Sequence, residues 1–517
     1  MKIKMKIKEL LILMLILIIM CALILTACGG DSGTGENSGN PGNITEAQQA
    51  NASGGEQDSG NKNGEAPEFE YEYPDMDGGG ADFKFYNIPE NLWFYYTAIV
   101  HDDPPDDILD DAIYKRNRFV EDKFNINIKE VNMPGNDLGS YTAGLRKLLL
   151  SGDDVYDAVF VPASYGTTVG AMLTEGLFHD LREITTINLD DEWWNQTMLK
   201  EAAIGTGKSI FYAGNGINIF TLESVACILF NQDMMSNLGL ELPYNTVRQG
   251  KWTYDVLQKY MKDGAQLNGA ESFKWEQSGP AVYGLTAYEN CAPALLAGSG
   301  EQFIAADSNG KPVLTISGER FVKALSKVGE LLTSANDGSY LYANSIERGF
   351  HFEPIFKDGR ALMMLGELKA ANYCRDMEAT FGLLPIPKLD ENQSDYYSHL
   401  INPALVTVIP VTNPRTEFTG AVLDALAYVS NRDVTPVLFD ISVTQKQLRN
   451  EESIEMLQLM KDSGSFEIGI GYGWTNPFYD VIRSKFGEGK EMNIASEIEK
   501  ATPKINANIE KTLALFD

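Results

Sequence analysis

The chain is short of the side chains that most active sites are built from. Its 517 residues include only five cysteines and four histidines. His101, His179, His351 and His399 are scattered, and none has a second metal-type ligand one helical turn on, so no zinc or iron centre is read. Cys21, Cys28, Cys227, Cys291 and Cys374 show no metal-binding spacing. A Gly-x-Ser-x-Gly nucleophile turn is missing. Gly205-Thr206-Gly207-Lys208-Ser209 has the end of a phosphate loop, but Ala202 stands where that loop needs its first glycine, and a strand rather than a helix follows. Gly469-Ile470-Gly471-Tyr472-Gly473 lacks the strand-to-helix context of a dinucleotide turn and reads as a loop. Positive charge is scarce too: 42 Lys and Arg stand against 72 Asp and Glu, a formal net charge of −30. Nucleic-acid binding needs clustered basic residues, so that class is excluded. The cluster Asp102, Asp103, Asp106, Asp107, Asp110 and Asp111 reads as a solvated loop and helix start, with calcium as the alternative. No internal repeat occurs.

What is present begins at the N-terminus. Lys2, Lys4, Lys6 and Lys8 precede an unbroken apolar run from Leu10 to Leu25. That run is shorter than the ~20 residues of a membrane-spanning helix and has the layout of a signal peptide. Leu25-Thr26-Ala27-Cys28-Gly29 looks like a bacterial lipobox. Residues 1–27 are therefore expected to be removed and Cys28 to carry lipid, which puts the protein on the outer face of the cell membrane. Losing the leader removes four lysines and one glutamate, so the remaining chain is more acidic still.

From Gly29 to about Asp77 the chain is rich in Gly, Asn, Ser, Gln and Glu. Such a segment cannot bury enough apolar surface to offset its ordering entropy, so 28–80 is read as a flexible linker. The folded body is expected from about Ala81. Phe83–Tyr86, Ile126–Val131 and Val155–Val161 read as strands. Ile108–Phe124 reads as a helix, with acids in its first turn and bases later, as the helix dipole favours. Phe321–Ser334 and Val422–Val429 are helical, and Ile494–Leu515 is a long amphipathic helix with a possible break at Pro503. Strands alternating with helices imply α/β lobes. The remaining cysteines Cys227, Cys291 and Cys374 read as small buried apolar residues, with room for one disulfide at most.

Several segments, in order, resemble the maltose-binding-like family of extracellular solute-binding proteins of ABC importers. Tyr114-Lys115-Arg116-Asn117 leading to Phe124-Asn125-Ile126 is similar to that family's first helix and second strand. Tyr156-Asp157-Ala158-Val159-Phe160, then Glu175-Gly176-Leu177 and Asp180-Leu181, resemble its next signature. Leu229-Phe230-Asn231-Gln232-Asp233, Gly250-Lys251-Trp252-Thr253, Phe356-Lys357-Asp358-Gly359-Arg360-Ala361 and Phe381-Gly382-Leu383-Leu384-Pro385 continue it. The resemblance covers Phe83 to the C-terminus. It implies an α/β, two-lobed periplasmic-binding-protein-like type II fold with a hinge crossed three times, near 220, 382 and 430. One lobe would hold 81–220 and 383–430, the other 221–382 and 431–517.

A sugar site needs aromatic platforms for C–H faces and fixed polar groups for hydroxyls. In a fold of this kind ligands sit outside the carboxyl ends of the strands. The candidates at those places are Asn87, Ser164 and Tyr165 in the first lobe and Tyr288, Glu289, Asn290 and Glu367 in the second. Glu223 lies by the first crossing, and Tyr472 and Trp474 lie in a glycine-rich loop where an exposed tryptophan suggests ligand stacking. Glu367 and Lys369 stand where the family tends to place an aromatic. Trp193, Trp194 and Trp252 read as packing residues. The expected function is capture of a sugar or oligosaccharide for a membrane permease, with no cofactor, no catalysis and a monomeric body. A ligand sensor for a membrane histidine kinase and a surface glycan-degrading enzyme are the alternatives.

Overall fold

The computed structural model describes residues 71–516 apart from 93–94, 133–134, 136, 164–168, 206–207, 309, 334–336, 344–351, 401–403 and 445–450. The leader, Cys28 and most of the expected linker lie outside the described residues. Packing starts ahead of the expected Ala81. Tyr71 stacks on Tyr428 with ring centroids 4.5 Å apart and meets Trp193 edge-on. Its hydroxyl donates to Asp424 at 2.9 Å. Tyr73 packs edge-on against Phe119. These two rings, with Met76, supply the apolar area that orders a stretch otherwise rich in acids and glycine.

In chain order the body runs through strand β1 (Ala81–Asn87), helix α1 (Ile108–Phe124), β2 (Ile126–Asn132), β3 (Ala158–Pro162) and α2 (Gln196–Ala202). It continues through β4 (Ala226–Asn231), β5 (Tyr283–Ala287), β6 (Tyr340–Tyr342), β7 (Ala361–Glu367), α3 (Lys369–Tyr373) and β8 (Phe381–Leu384). The last part holds β9 (Ser398–His399), β10 (Leu405–Val408), α4 (Thr416–Val429), α5 (Thr435–Thr444), α6 (Glu451–Asp462), β11 (Gly464–Ser465) and α7 (Ile494–Leu513). Local chemistry explains the boundaries. Asp107 caps α1 by accepting from the Leu109 and Asp110 amides, and Asn125 ends it in the left-handed region at φ 49°. Helix α7 runs unbroken through Pro503, against the expected break. Asn493 caps its start, and Ile505, Ile509 and Leu513 hold one face in the core.

Four strands form one sheet in the order β10-β3-β1-β2, and five form the other in the order β8-β4-β7-β5-β6. Within the first, β1 is parallel to β2 and β3, while β10 is antiparallel to β3. In the second, β5 is parallel to β6 and β7, while β4 is antiparallel to β7. The wholly buried Val159, Phe160, Leu229, Phe230, Met363 and Met364 mark both sheets as core on both faces. Cys227, Cys291 and Cys374 are buried and unbridged.

The parallel strands of each sheet end together, and the antiparallel β4 and β10 begin there. Ala226 pairs with Glu367, and Leu405 pairs with Pro162. The first two chain crossings lie side by side, where Val225 bridges Leu400, and β9 next to them pairs with β11. The second crossing falls later than the expected 382. Trp252 Nε1 donates to the Pro385 carbonyl at 2.9 Å and Gln393 Nε2 to Gly298 at 2.8 Å, which keeps 385–399 with the second sheet. The third falls later than 430. Val434 and Leu438 pack with Ala112 and Ile113 of α1, whereas α6 joins the second lobe through Arg248–Glu455 at 2.6 Å.

Candidate functional site

Polar side chains from both lobes converge where the strands end. Asn87 closes β1, is fully buried, and donates to the Thr97 carbonyl at 3.0 Å and to Glu130 at 2.9 Å. Its own carbonyl oxygen accepts from Asn218 Nδ2 at 3.1 Å. Glu130, at the end of β2, also receives the Ile99 amide at 2.8 Å. Segment 95–100 is thereby fastened over the first sheet.

The second lobe reaches this segment through Lys369, the first residue of α3. Lys369 Nζ donates to the Tyr96 carbonyl at 3.0 Å and to Thr97 Oγ1 at 3.2 Å. It also lies 3.4 Å from Glu223 Oε2, whose other oxygen accepts from Asn372 Nδ2 at 3.0 Å. Burial raises the Glu223 carboxyl, and Lys369 and Asn372 pull it back. A single ammonium thus ties the first lobe, the first crossing and the second lobe together.

Beside it sits a buried polar cluster at the ends of β5 and β7. Tyr288 donates a short hydrogen bond to Glu367 Oε1, and Asn290 Nδ2 donates to the Tyr288 hydroxyl at 3.1 Å. Tyr288 stacks on Phe352 with centroids 5.0 Å apart and planes 10° from parallel. Burial pushes the Glu367 carboxyl up to about 8, so at neutral pH it is protonated. Glu353, next to Phe352, is also pushed up to about 8 by burial, and neither of its oxygens has a hydrogen-bond partner. The result is a pair of buried rings, Tyr288 4% and Phe352 0% exposed, beside neutral hydroxyl, amide and carboxyl groups, the chemistry that an uncharged ligand rich in hydroxyls needs.

The structure thus brings together Tyr288, Asn290 and Glu367, with Glu223 and Asn87 close to the same strand ends. Glu289 points elsewhere and pairs with Arg483 at 3.1 Å. Ser164 and Tyr165 lie outside the described residues. Trp474 and Tyr472 differ from expectation: neither is exposed. Trp474 is 1% exposed, stacks on Tyr472 at 5.0 Å and donates from Nε1 to Thr512 at 2.8 Å. Tyr472 donates to the Ala202 carbonyl at 2.8 Å, and its backbone sits where a side chain on Gly170 would be, 2.3 Å from an added Cβ. This loop is a packed contact between lobes; its glycines permit the close approach that an exposed loop would not need. Trp193, Trp194 and Trp252 are buried as expected. Sequence reasoning missed Thr97, Glu130, Asn218 and Glu353. Only Lys369 carried a signal, as the polar residue in a place where aromatics are usual.

Two cavities flank the crossing strands. One, of about 290 Å³, is lined by Trp194, Asn215, Val225, Leu400 and Met460. The other, of about 310 Å³, is lined by α2, by Phe303 and Tyr479, and by β9 and β11. Among the described residues no group of three His, Cys, Asp or Glu is placed to hold a metal ion, and no helix is long and apolar enough to cross a membrane.

No protein-family model matches the chain, and no curated protein sequence matches it. Solved structures do. The galacto-N-biose/lacto-N-biose I-binding protein of an ABC transporter from Bifidobacterium longum, in complex with lacto-N-biose, aligns with a TM-score of 0.56 at 10% identity, over 84% of this chain and 98% of that one. An ABC substrate-binding protein from Listeria monocytogenes in complex with cycloalternan aligns at 0.53 and 14% identity, over 83% and 99%. The GacH receptor of Streptomyces glaucescens, solved with and without acarbose, aligns at 0.51 and 12%, over 85% and 100%. At these identities the likeness shows the fold: a two-lobed, mixed α/β periplasmic-binding-protein type II architecture.

Proposed function

We propose that this chain is the extracytoplasmic receptor of an ABC importer. It captures a neutral sugar or oligosaccharide between its lobes and hands it to a membrane permease, carrying out no chemistry itself. Lipid on Cys28 holds it at the outer face of the cell membrane as a monomer. The observation that carries this reading is the meeting of Tyr288, Asn290 and Glu367 with the Lys369 bridge at the strand ends of both lobes. Aromatic rings with uncharged hydrogen-bonding groups match the two faces of a sugar ring. The three similar structures named above, each with a glycan or glycan mimic in its description, lend the carbohydrate assignment its weight.

A thermal-shift screen tests it, with oligosaccharides, uronates and short peptides added to the protein. A ligand that binds only the folded state at a hundredfold excess over Kd adds about 2.7 kcal/mol of stability. One class of neutral glycan should raise the melting temperature, and Tyr288→Ala should remove that rise. A rise with peptides or uronates alone would overturn the carbohydrate reading. For the anchor, intact mass of the membrane-extracted protein should show diacylglycerol on the chain beginning at Cys28, and Cys28→Ser should release it.

A further inference from the structure

Arg116 of α1 carries a cation into the core, and every group that accepts from it is uncharged. Nε and Nη2 donate to Asn117 Oδ1 at 3.0 and 2.9 Å. Nη1 donates to the Ile217 carbonyl at 2.8 Å and to Ser430 Oγ at 3.1 Å. Nη2 also reaches the Ile99 carbonyl at 3.4 Å, which accepts from Asn117 Nδ2 at 2.7 Å. No N–H of the fork is left over. Burial alone pulls the guanidinium down to about 9, so it stays charged at neutral pH. A buried cation without a countercharge is costly, and an apolar side chain of similar volume would avoid that cost. Only a rigid planar fork holds several acceptors in one fixed arrangement.

Those acceptors belong to separate pieces of chain. Ile217 lies just ahead of the first crossing. On either side of it, Asn215 donates to Thr407 of β10 at 3.0 Å and Asn218 to Asn87 at 3.1 Å. Ser430 opens the π-helical turn Ser430–Val434 that joins α4 to α5 ahead of the third crossing. Ile99 belongs to the cleft segment 95–100, which Lys369 grips from the second lobe at Tyr96 and Thr97. One turn earlier, α1 repeats the pattern with apolar groups. Ala112 and Ile113 share a helix face with Arg116 and Asn117. With Ile219 of the first crossing and Val434 and Leu438 of the third they form a small core of their own.

We infer that this face of α1 is the pivot of the lobes and that Arg116 is its positioning residue. The fork clamps the roots of the first and third crossings, and the cleft segment that the second lobe grips, to one rigid helix. Arg116 touches no ligand. A displacement of segment 95–100 as the lobes close passes through the fork to both roots, so they turn together rather than separately. What drives the motion rests on the receptor reading; the clamp itself is a property of the free chain.

The distance between lobes in the full chain, extracted in detergent and without ligand, tests the clamp. Leu150 and Leu267, exposed on the first and second lobes, are replaced by a ketone-bearing amino acid and spin-labelled, which leaves the cysteines untouched. The parent should give one narrow distance distribution. Arg116→Lys, which keeps the charge and loses the fork, should widen it about twofold or more. Ser430→Ala, which removes one clamped point, should widen it less and decides the matter where Arg116→Lys does not fold. Val120→Ala, a truncation in the buried face of the same helix, should lower the melting temperature and leave the width as in the parent. A parental width in a folded Arg116→Lys chain and in Ser430→Ala, or an equal widening by Val120→Ala, would overturn the proposal. Any glycan found by the thermal-shift screen should bind Arg116→Lys severalfold more weakly than the parent. Widening in a protein whose parent binds no glycan would uphold the clamp and count against the receptor reading instead.

Discussion

Removing the Lys369 ammonium is the sharpest test of how the lobes are joined. Its distance to Glu223 Oε2 is 3.4 Å, and the two side chains are 17% and 5% exposed. At an effective dielectric constant of about 20 the gross attraction is about 5 kcal/mol, most of it offset by desolvation of both charges. Lys369→Met deletes the cation, strands the Glu223 carboxylate in the interior, and leaves the Tyr96 carbonyl and Thr97 Oγ1 short of a donor. Breaking one side of a buried pair costs about 3–5 kcal/mol. The cost should lie mainly in the stranded charge. Glu223→Gln, which keeps its bond from Asn372, should then cost less, and the double variant should be more stable than the sum of the singles predicts by about 2 kcal/mol. Urea unfolding of the four proteins near neutral pH measures the cycle. If the singles add to within about 0.5 kcal/mol, Lys369 and Glu223 are two independent surface groups and the bridge is wrong.

Three other outcomes follow from the same geometry. Glu353 has no hydrogen-bond partner at either oxygen and a carboxyl held up to about 8 against an ordinary 4.5. Between those values the folded state keeps a proton that the unfolded state has released, so this group's stabilisation is present below 4.5 and is lost as pH rises through 8. Glu353→Gln should therefore raise the melting temperature relative to the parent above pH 8 and change it little below pH 4.5; the same offset at every pH would refute the assignment. Trp474→Ala should cost about 3–5 kcal/mol in urea unfolding, because the ring is core rather than ligand platform; an unchanged midpoint with lost sugar binding would restore the platform reading. Asp424 accepts from Tyr71, Trp193 and Trp194 at 2.9, 3.1 and 2.8 Å. Asp424→Ala should loosen the Tyr71–Tyr73 clasp and speed proteolytic cleavage ahead of Gly78, and an unaltered cleavage rate would refute that role.

The fold was legible where the chain alternates strongly. Phe83–Tyr86 and the apolar run ending at Val161 are strands whose side chains fill the core, and Ile126–Val131 is an edge strand whose alternation buries Ile126 and Ile128 and exposes Asn127 and Lys129. The positions at which the chain passes between lobes were not legible. What sets them is pairing between distant residues, such as Trp252 with Pro385, and such pairing leaves no local pattern. At the candidate site, Tyr288 and Asn290 could be named because they follow β5, and Glu367 because it closes β7. Trp474 misled because the run Gly469-Ile470-Gly471-Tyr472-Gly473 just before it reads as an exposed loop. Gly170 of the first lobe instead leaves room for the Tyr472 backbone, and Gly471 for the Tyr212 hydroxyl, contacts between residues more than 250 positions apart in numbering.

The uneven quality of the interior is itself informative. Chains satisfy buried polar groups nearly everywhere, and each exception carries a cost of about 1–3 kcal/mol. Here Thr286 Oγ1, Asn290 Oδ1, Glu353 and Glu367 Oε2 lack hydrogen-bond partners around the strand ends of the second lobe, and His399 Nε2 and Ser465 Oγ lack them at the crossing strands. Others lie elsewhere, at Tyr73, His101, His179, Tyr212 and Thr475, so what stands out is the four residues that share the strand ends of the second lobe. Local rules of packing are broken at sites that something else completes. A core satisfied throughout would hold one arrangement of the lobes whether or not ligand were present. If the receptor role proposed above holds, polar atoms left unpaired at the strand ends are ones a ligand would satisfy, and that gain would couple occupancy to closure.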